Sequence, residues 1–396
     1  MTTESIELKK PRYIFLDNIK LMFAILVIFN HARVTYEGSG WWYYIEENTL
    51  DLFSTIFFQT LASFGGIFQA SLLGLFFLLA GFLTPKSFDR KKLSVFWKER
   101  LLRLGVPLLL YVLLINPIMF YILSVLGIEP WTSYPNLQGS LLDYYFDQFK
   151  SLGTLIDFLT NVGPMWFLYV LLIFTFVYTL WRQVSRSDSI QQYIPKELPI
   201  PRNVYLFLIA IVLGWVAFIV RFISPVDRFP LGIPFGYLIQ YFMMFVVGVI
   251  TARYDWFEKI SKDHIKVWSS ILAATVVLFF LYFILFMGVD SDYSVVFGGP
   301  NLSALVFALV DNMVCMGMIF VLIPIFYLKF NTQGNIIKNL SDSSFHMYLI
   351  HAPILVTISL VFISIPLFPV LKLVIVFPLA VILCYLASQY GLRKIL

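Results

Sequence analysis

Lys20 and His31 stand eleven residues apart in the first long apolar stretch, Tyr13 to Arg33, and could do chemistry there. Eleven residues run about 20° past three full helical turns, so the two side chains share one face about 16 Å apart along the axis. A charge near a bilayer centre costs about 2.5–3.5 kcal/mol on insertion scales, so it belongs beside a cavity or the bundle interior. Counting rise from Tyr13, Lys20 lies about 10 Å inside one membrane surface and His31 about 27 Å in, near the other. Asp17 precedes Lys20 by three residues and can pair with it on that face. A neutral imidazole accepts a proton from a hydroxyl near neutral pH. The plain alternative is that Lys20 snorkels to the interface while His31 caps the span. Their shared face favours function, and it suits chemistry across a membrane.

The elements that would position them follow from composition. The 396 residues are 60% apolar and 13% charged, with 41 Phe, the make-up of a polytopic membrane protein. Hydropathy predicts ten spans near 13–33, 61–84, 104–126, 164–182, 203–223, 234–252, 267–288, 302–328, 343–364 and 370–391. The apolar stretch from Leu50 to Leu61 reads either as an interfacial helix or as an extension of the second span. An all-α bundle in a single domain, 1–396, is expected. Cys315 and Cys384 both lie in apolar segments and form no disulfide framework or metal site.

Most of the 28 basic residues fall in alternate loops. Lys9, Lys10 and Arg12 lie in the leader 1–12, and Arg90, Lys91, Lys92, Arg100 and Arg103 crowd the second loop. The fourth and sixth loops and the C-terminal Arg393 and Lys394 continue the pattern. The positive-inside rule therefore places both termini in the cytoplasm of a multi-pass plasma-membrane protein, with the first span a retained signal anchor. This asymmetry also accounts for the net charge of +5 without any nucleic-acid partner. The opposite loops carry aromatics and carboxylates: Glu37, Trp41, Trp42, Tyr43, Tyr44, Glu46, Glu47 and Asp51 in the first, and Trp131, Tyr134, Asp143, Tyr144, Tyr145, Asp147 and Asp157 in 127–163. A loop that long in a compact bundle is expected to fold over something.

The segment LDNIKLMFAILVIFNH (16–31) resembles the opening helix of the acyltransferase 3 superfamily, where a basic residue precedes a histidine with ten residues between. FFLLAGFLTPKSF (76–88), the Arg100/Arg103 pair ahead of Pro107, MWFLYVLL (165–172) and SSFHMYLIHAPIL (343–355) extend the similarity in order to the ninth span. Two departures stand out: Ala80 where many relatives have serine, and Lys20 where arginine is commoner. Lysine gives up bidentate recognition and acts as a point charge.

The resemblance implies a membrane O-acyltransferase. It would move an acyl group, usually acetyl, from cytosolic acyl-CoA to a hydroxyl of an extracytoplasmic saccharide or lipid-linked glycan. No permanently bound cofactor and no metal are implied. His31 matches the family's catalytic histidine, Lys20 its basic partner, and Arg100 and Arg103 its paired arginines. Acyl-CoA is polyanionic at its nucleotide end, and arginines three apart on a helix can grip phosphate oxygens together. Topogenic charge alone explains Lys91 and Lys92.

His31 could act as general base or carry the acyl group covalently. Glu37, Glu46 and Asp51 are candidates to orient its ring, and Trp41 and Trp42 offer flat rings to a glycan or belong to an interfacial aromatic belt. His351, counted from a span start near Ser341, is expected about 15 Å in from the cytoplasmic surface, level with Lys20, where it would bind the donor. It could equally satisfy backbone groups freed by Pro353. A transporter or flippase using Asp17, Lys20, His31 and His351 as a polar path is the rival from another class, though no paired broken helices support it.

Overall fold

The computed structural model of the protein describes residues 13–38, 40, 42–46, 52–128, 139–287 and 293–391. Trp41, Glu47, Asp51, Trp131, Tyr134 and the leader 1–12 lie outside the described residues. Among those described, no strand occurs, and ten helical segments are long and apolar enough to cross a membrane. They are α1 Ile14–Glu37, α2 Leu52–Phe88, α3 Leu93–Val125, α4 Trp166–Val184 and α5 Asn203–Ile223. The remainder are α6 Phe235–Tyr254, α7 Lys262–Tyr282, α8 Leu302–Lys329, α9 Asn335–Phe362 and α10 Pro369–Tyr390. All ten predicted spans are present. Backbone groups in lipid must be satisfied within their own segment, and helices achieve this.

The ends differ from the hydropathy reading where charged turns join a helix. The stretch from Leu52 to Leu61 is an extension of the second span, continuous with it through α2. The third span starts eleven residues before the predicted 104, so Arg100 and Arg103 lie on a helix and not in a loop. Two wide π turns, Leu101–Gly105 and Tyr111–Ile115, precede Pro107 and Pro117. Proline removes a backbone donor and crowds the carbonyl four residues before it, and a π turn accommodates both. Likewise α9 begins at Asn335, eight residues before the predicted start.

α1 packs on α9, α10 and α2, while α2 packs on α6 and α8. The α2–α6 contact is close: a Cβ on Gly81 would run into the carbonyl oxygen of Phe245, and one on Gly248 into that of Leu78. The start of α1 is tied to the turn between α8 and α9. There Asn18 Nδ2 donates to Phe330 O at 2.6 Å, and from the second turn of α9 Ser341 Oγ donates to Asp17 O at 3.0 Å. Gly38, left-handed at φ 76°, ends α1 two turns beyond His31.

The loop 127–163 forms two short helices, Leu141–Gln148 and Leu152–Thr160, each opened by a serine capping box. Ser140 donates to Asp143 from both backbone and hydroxyl, which holds that carboxyl below its usual range. The loop folds against α3, where Tyr145 Oη donates to Leu113 O at 2.5 Å.

Candidate functional site

Two imidazoles from different helices meet. His31 Nδ1 lies 2.9 Å from His351 Nε2, with the rings nearly parallel. By rise along their helices, His31 stands about 26 Å from the start of α1 and His351 about 24 Å from the start of α9. The expectation that His351 lies level with Lys20 is therefore corrected. Counting from Ser341 omitted the first turns of α9, which Asn335 opens. His351 is fully buried behind His31.

The hydrogen bonds define the tautomers. His351 Nδ1 lies 2.5 Å from the carbonyl oxygen of Tyr348, and a carbonyl only accepts. Neutral His351 therefore carries its proton on Nδ1 and presents a lone pair at Nε2. His31 must then donate from Nδ1, which leaves its Nε2 as the basic nitrogen. Trp42 covers one face of the His31 ring, 3.9 Å between centroids and 11° between planes. The imidazole is thus held in orientation and tautomer.

Neither Glu37 nor Glu46 makes that bond to Nδ1, which His351 takes instead; Asp51, the third carboxylate expected there, lies outside the described residues. Glu37 pairs with Arg33 on the same helix, and Glu46 Oε1 accepts from Lys372 Nζ at 2.6 Å. The Glu46–Lys372 pair is buried and ties the 42–46 segment to α10. Glu46 N also donates to Thr35 O at 2.8 Å, and Tyr43 Oη donates to Asn116 Oδ1 at 2.5 Å. With its hydroxyl proton so used, Tyr43 accepts from Tyr111 Oη at 2.8 Å. The segment 42–46 is a strap across the histidine end of α1, and Trp42 in it is only 4% exposed. Beside it the Tyr44 hydroxyl is pushed up by burial and by the Glu46 carboxylate, so it stays a neutral phenol.

A cavity of about 630 Å³ joins this end to the opposite, basic one. Lys20, Lys91, Arg100 and Arg103 line the basic end, His31, Asn30 and Arg33 the other, and Phe23, Leu72, Phe76 and Phe167 the apolar passage between. Lys20 and His31 do share a face, as their spacing predicts. Lys20 Nζ donates to Asp17 Oδ1 at 3.0 Å. Arg100 Nη2 donates to Thr84 Oγ1 at 3.1 Å, and the Arg103 guanidinium lies 5.2 Å over the Phe345 ring. Lys91 pairs with Glu99 at the cavity wall.

Arg33, the last residue of the first predicted span, lies inside α1 with a buried Nε that has no partner among the described residues. Another pair escaped sequence reasoning altogether. Arg221 Nη2 donates to Asp311 Oδ2 at 2.5 Å with both residues fully buried, stapling α5 to α8. Each is an ionisable residue in an apolar segment, the signal that singled out Lys20.

The sequence pattern of an acyltransferase domain matches residues 13–389, from the start of α1 to the end of α10. Similar proteins include the glucans biosynthesis protein C of Salmonella heidelberg and that of Salmonella agona. Each is 26% identical over 167 residues, covering 42% of this chain and 38% of the relative. The match thus spans well under half the length of those relatives. No solved structure matches. Because the domain pattern runs through all ten helices and takes in both histidines, the chain belongs to the acyltransferase 3 family of multi-pass membrane proteins.

Proposed function

We propose that this enzyme is an O-acyltransferase that takes an acyl group, in the simplest case acetyl, from cytosolic acyl-CoA and passes it to a hydroxyl of an extracytoplasmic saccharide. The observation that carries this reading is the cavity itself, basic at one end and lined at the other by an oriented imidazole. The positive-inside rule supports reading the basic end as the cytoplasmic one, and an even number of spans accords with both termini on that side. Lys20, Arg100 and Arg103 receive the phosphates of the nucleotide end. The thin pantetheine arm then runs through the apolar passage toward His31. A saccharide acceptor accords with the name of the Salmonella relatives, which refers to glucan biosynthesis.

In the reaction, His31 Nε2 takes the proton of the acceptor hydroxyl as that oxygen attacks the thioester carbonyl carbon. The resulting imidazolium donates from Nδ1 to His351 Nε2, which stabilises its charge. Arg33, at the same end of the cavity, faces the negative charge developing on the carbonyl oxygen. When the tetrahedral intermediate collapses, the C–S bond breaks and the proton on His31 Nε2 goes to the thiolate. Ester and free CoA are the products, and the base is regenerated.

Purified protein given radiolabelled acetyl-CoA and a membrane glycan fraction tests this. Label should move to the glycan, and His31→Ala should lose about 10²–10⁴-fold in rate, the usual worth of a general base. Undiminished transfer in His31→Ala would refute the assignment. Accumulation of substrate inside vesicles without label transfer would favour a carrier.

A further inference from the structure

A second cavity, of about 580 Å³, opens between the ends of α2, α4 and α6. Its wall holds four cations, Lys86, Arg90, Arg182 and Arg253, against a single carboxylate among the described lining residues, Asp89. That carboxylate is already engaged by Arg182, whose Nε and Nη2 lie 3.2 and 3.0 Å from Asp89 Oδ1. Lys86 Nζ donates to Tyr13 Oη at 2.7 Å and sits over the Tyr13 and Phe82 rings at 4.8 and 4.9 Å. Arg90 and Arg253 reach the cavity as exposed side chains. Topogenic charge needs only to lie in the right loops. Here charges from three separate helices converge on one concavity and leave it three units positive.

We propose that this cavity binds a phosphate group, and that the phosphate is the headgroup of an acidic phospholipid. Guanidinium groups hold phosphate oxygens in pairs, and basic pockets between transmembrane helices suit anionic headgroups. What favours a lipid over a soluble phosphate is the rest of the wall. Trp181 lines the cavity while about half exposed, the posture of an indole at headgroup level. Below it, Leu180, Val177, Phe176 and Ile173 of α4 form an exposed apolar flank along which an acyl tail can lie. Nothing in this site depends on the donor assignment above, since Arg100, Arg103 and His31 line the other cavity.

The test measures lipid binding and not transfer. The full-length protein is purified in mixed micelles of phosphatidylglycerol and phosphatidylcholine, and the retained lipid is read by native mass spectrometry. Wild type should keep phosphatidylglycerol preferentially. Arg90→Gln/Arg253→Gln, two changes at exposed positions, should weaken retention about five-fold for each charge removed. Lys150→Gln, on an exposed loop helix end, should leave it unchanged, and the double variant should keep its acyl-transfer rate in phosphatidylcholine. No preference in wild type, or equal preference in the double variant, would overturn the proposal. So would displacement of the bound lipid by excess CoA or inorganic phosphate, which would assign the cavity to a soluble anion.

Discussion

At the scale of single residues, the site depends on which nitrogen carries a proton. A peptide carbonyl at Tyr348 sets His351, His351 sets His31, and the lone pair that results lies at His31 Nε2. His351 is thus a positioning residue, and its removal should act through the base. His351→Leu, which can accept no hydrogen bond, should lower kcat by between about 10²- and 10⁴-fold with the KM for acyl-CoA little changed. His351→Gln places an amide oxygen near the former Nε2 and should recover much of the rate, an outcome no packing defect would produce. The residues proposed to bind the donor should behave oppositely. Lys20→Met or Arg103→Ala should raise the KM for acyl-CoA by about 10- to 100-fold, the worth of one charge-assisted hydrogen bond, with kcat held. If steady-state kinetics showed only kcat falling, the phosphate-binding role would be wrong. The buried Glu46–Lys372 pair predicts an asymmetry of its own. Glu46→Gln alone should cost about 3–5 kcal/mol because it strands a buried ammonium, whereas Glu46→Gln with Lys372→Met should recover most of that loss in thermal unfolding.

The elements hold these residues by close backbone contact as much as by side-chain packing. Where α2 crosses α6, Gly81 and Gly248 each face a carbonyl of the opposing helix. Small residues at such crossings let helices approach in a solvent that supplies no hydrophobic drive between them. Gly81→Ala or Gly248→Ala should therefore overpack the crossing and cost about 1–3 kcal/mol, lowering Tm in detergent. A Tm unchanged in both variants would show that the helices part without penalty. The paired π turns of α3 have a second consequence. Arg103 belongs to the first of them, so the turn that accommodates Pro107 also sets the angle at which its guanidinium meets the cavity. Gly38 closes α1 and lets the chain turn back, which brings Trp42 onto the ring of His31.

Across the whole molecule, what could be read from the sequence divides along a physical line. Ten spans, the shared face of Lys20 and His31, and the basic end of the cavity follow from hydropathy, from helical periodicity and from the alternation of basic loops. Periodicity assigns a residue to a face but does not say which helix that face meets. So the contacts His31–His351, Glu46–Lys372 and Arg221–Asp311, separated by 320, 326 and 90 residues, were not legible. Helix ends were blurred wherever charged residues continue a helix beyond its apolar window, as at Arg100 and Lys338, and that blurring misplaced His351 in depth. The central claim is that a thioester carried up the cavity meets an imidazole whose free nitrogen is Nε2. A structure with CoA bound measures this directly. The sulfur should lie within about 4 Å of His31 Nε2, near hydrogen-bond reach, with the nucleotide phosphates on Arg100 and Arg103. A sulfur that ends elsewhere, or phosphates seated away from those arginines, would contradict it.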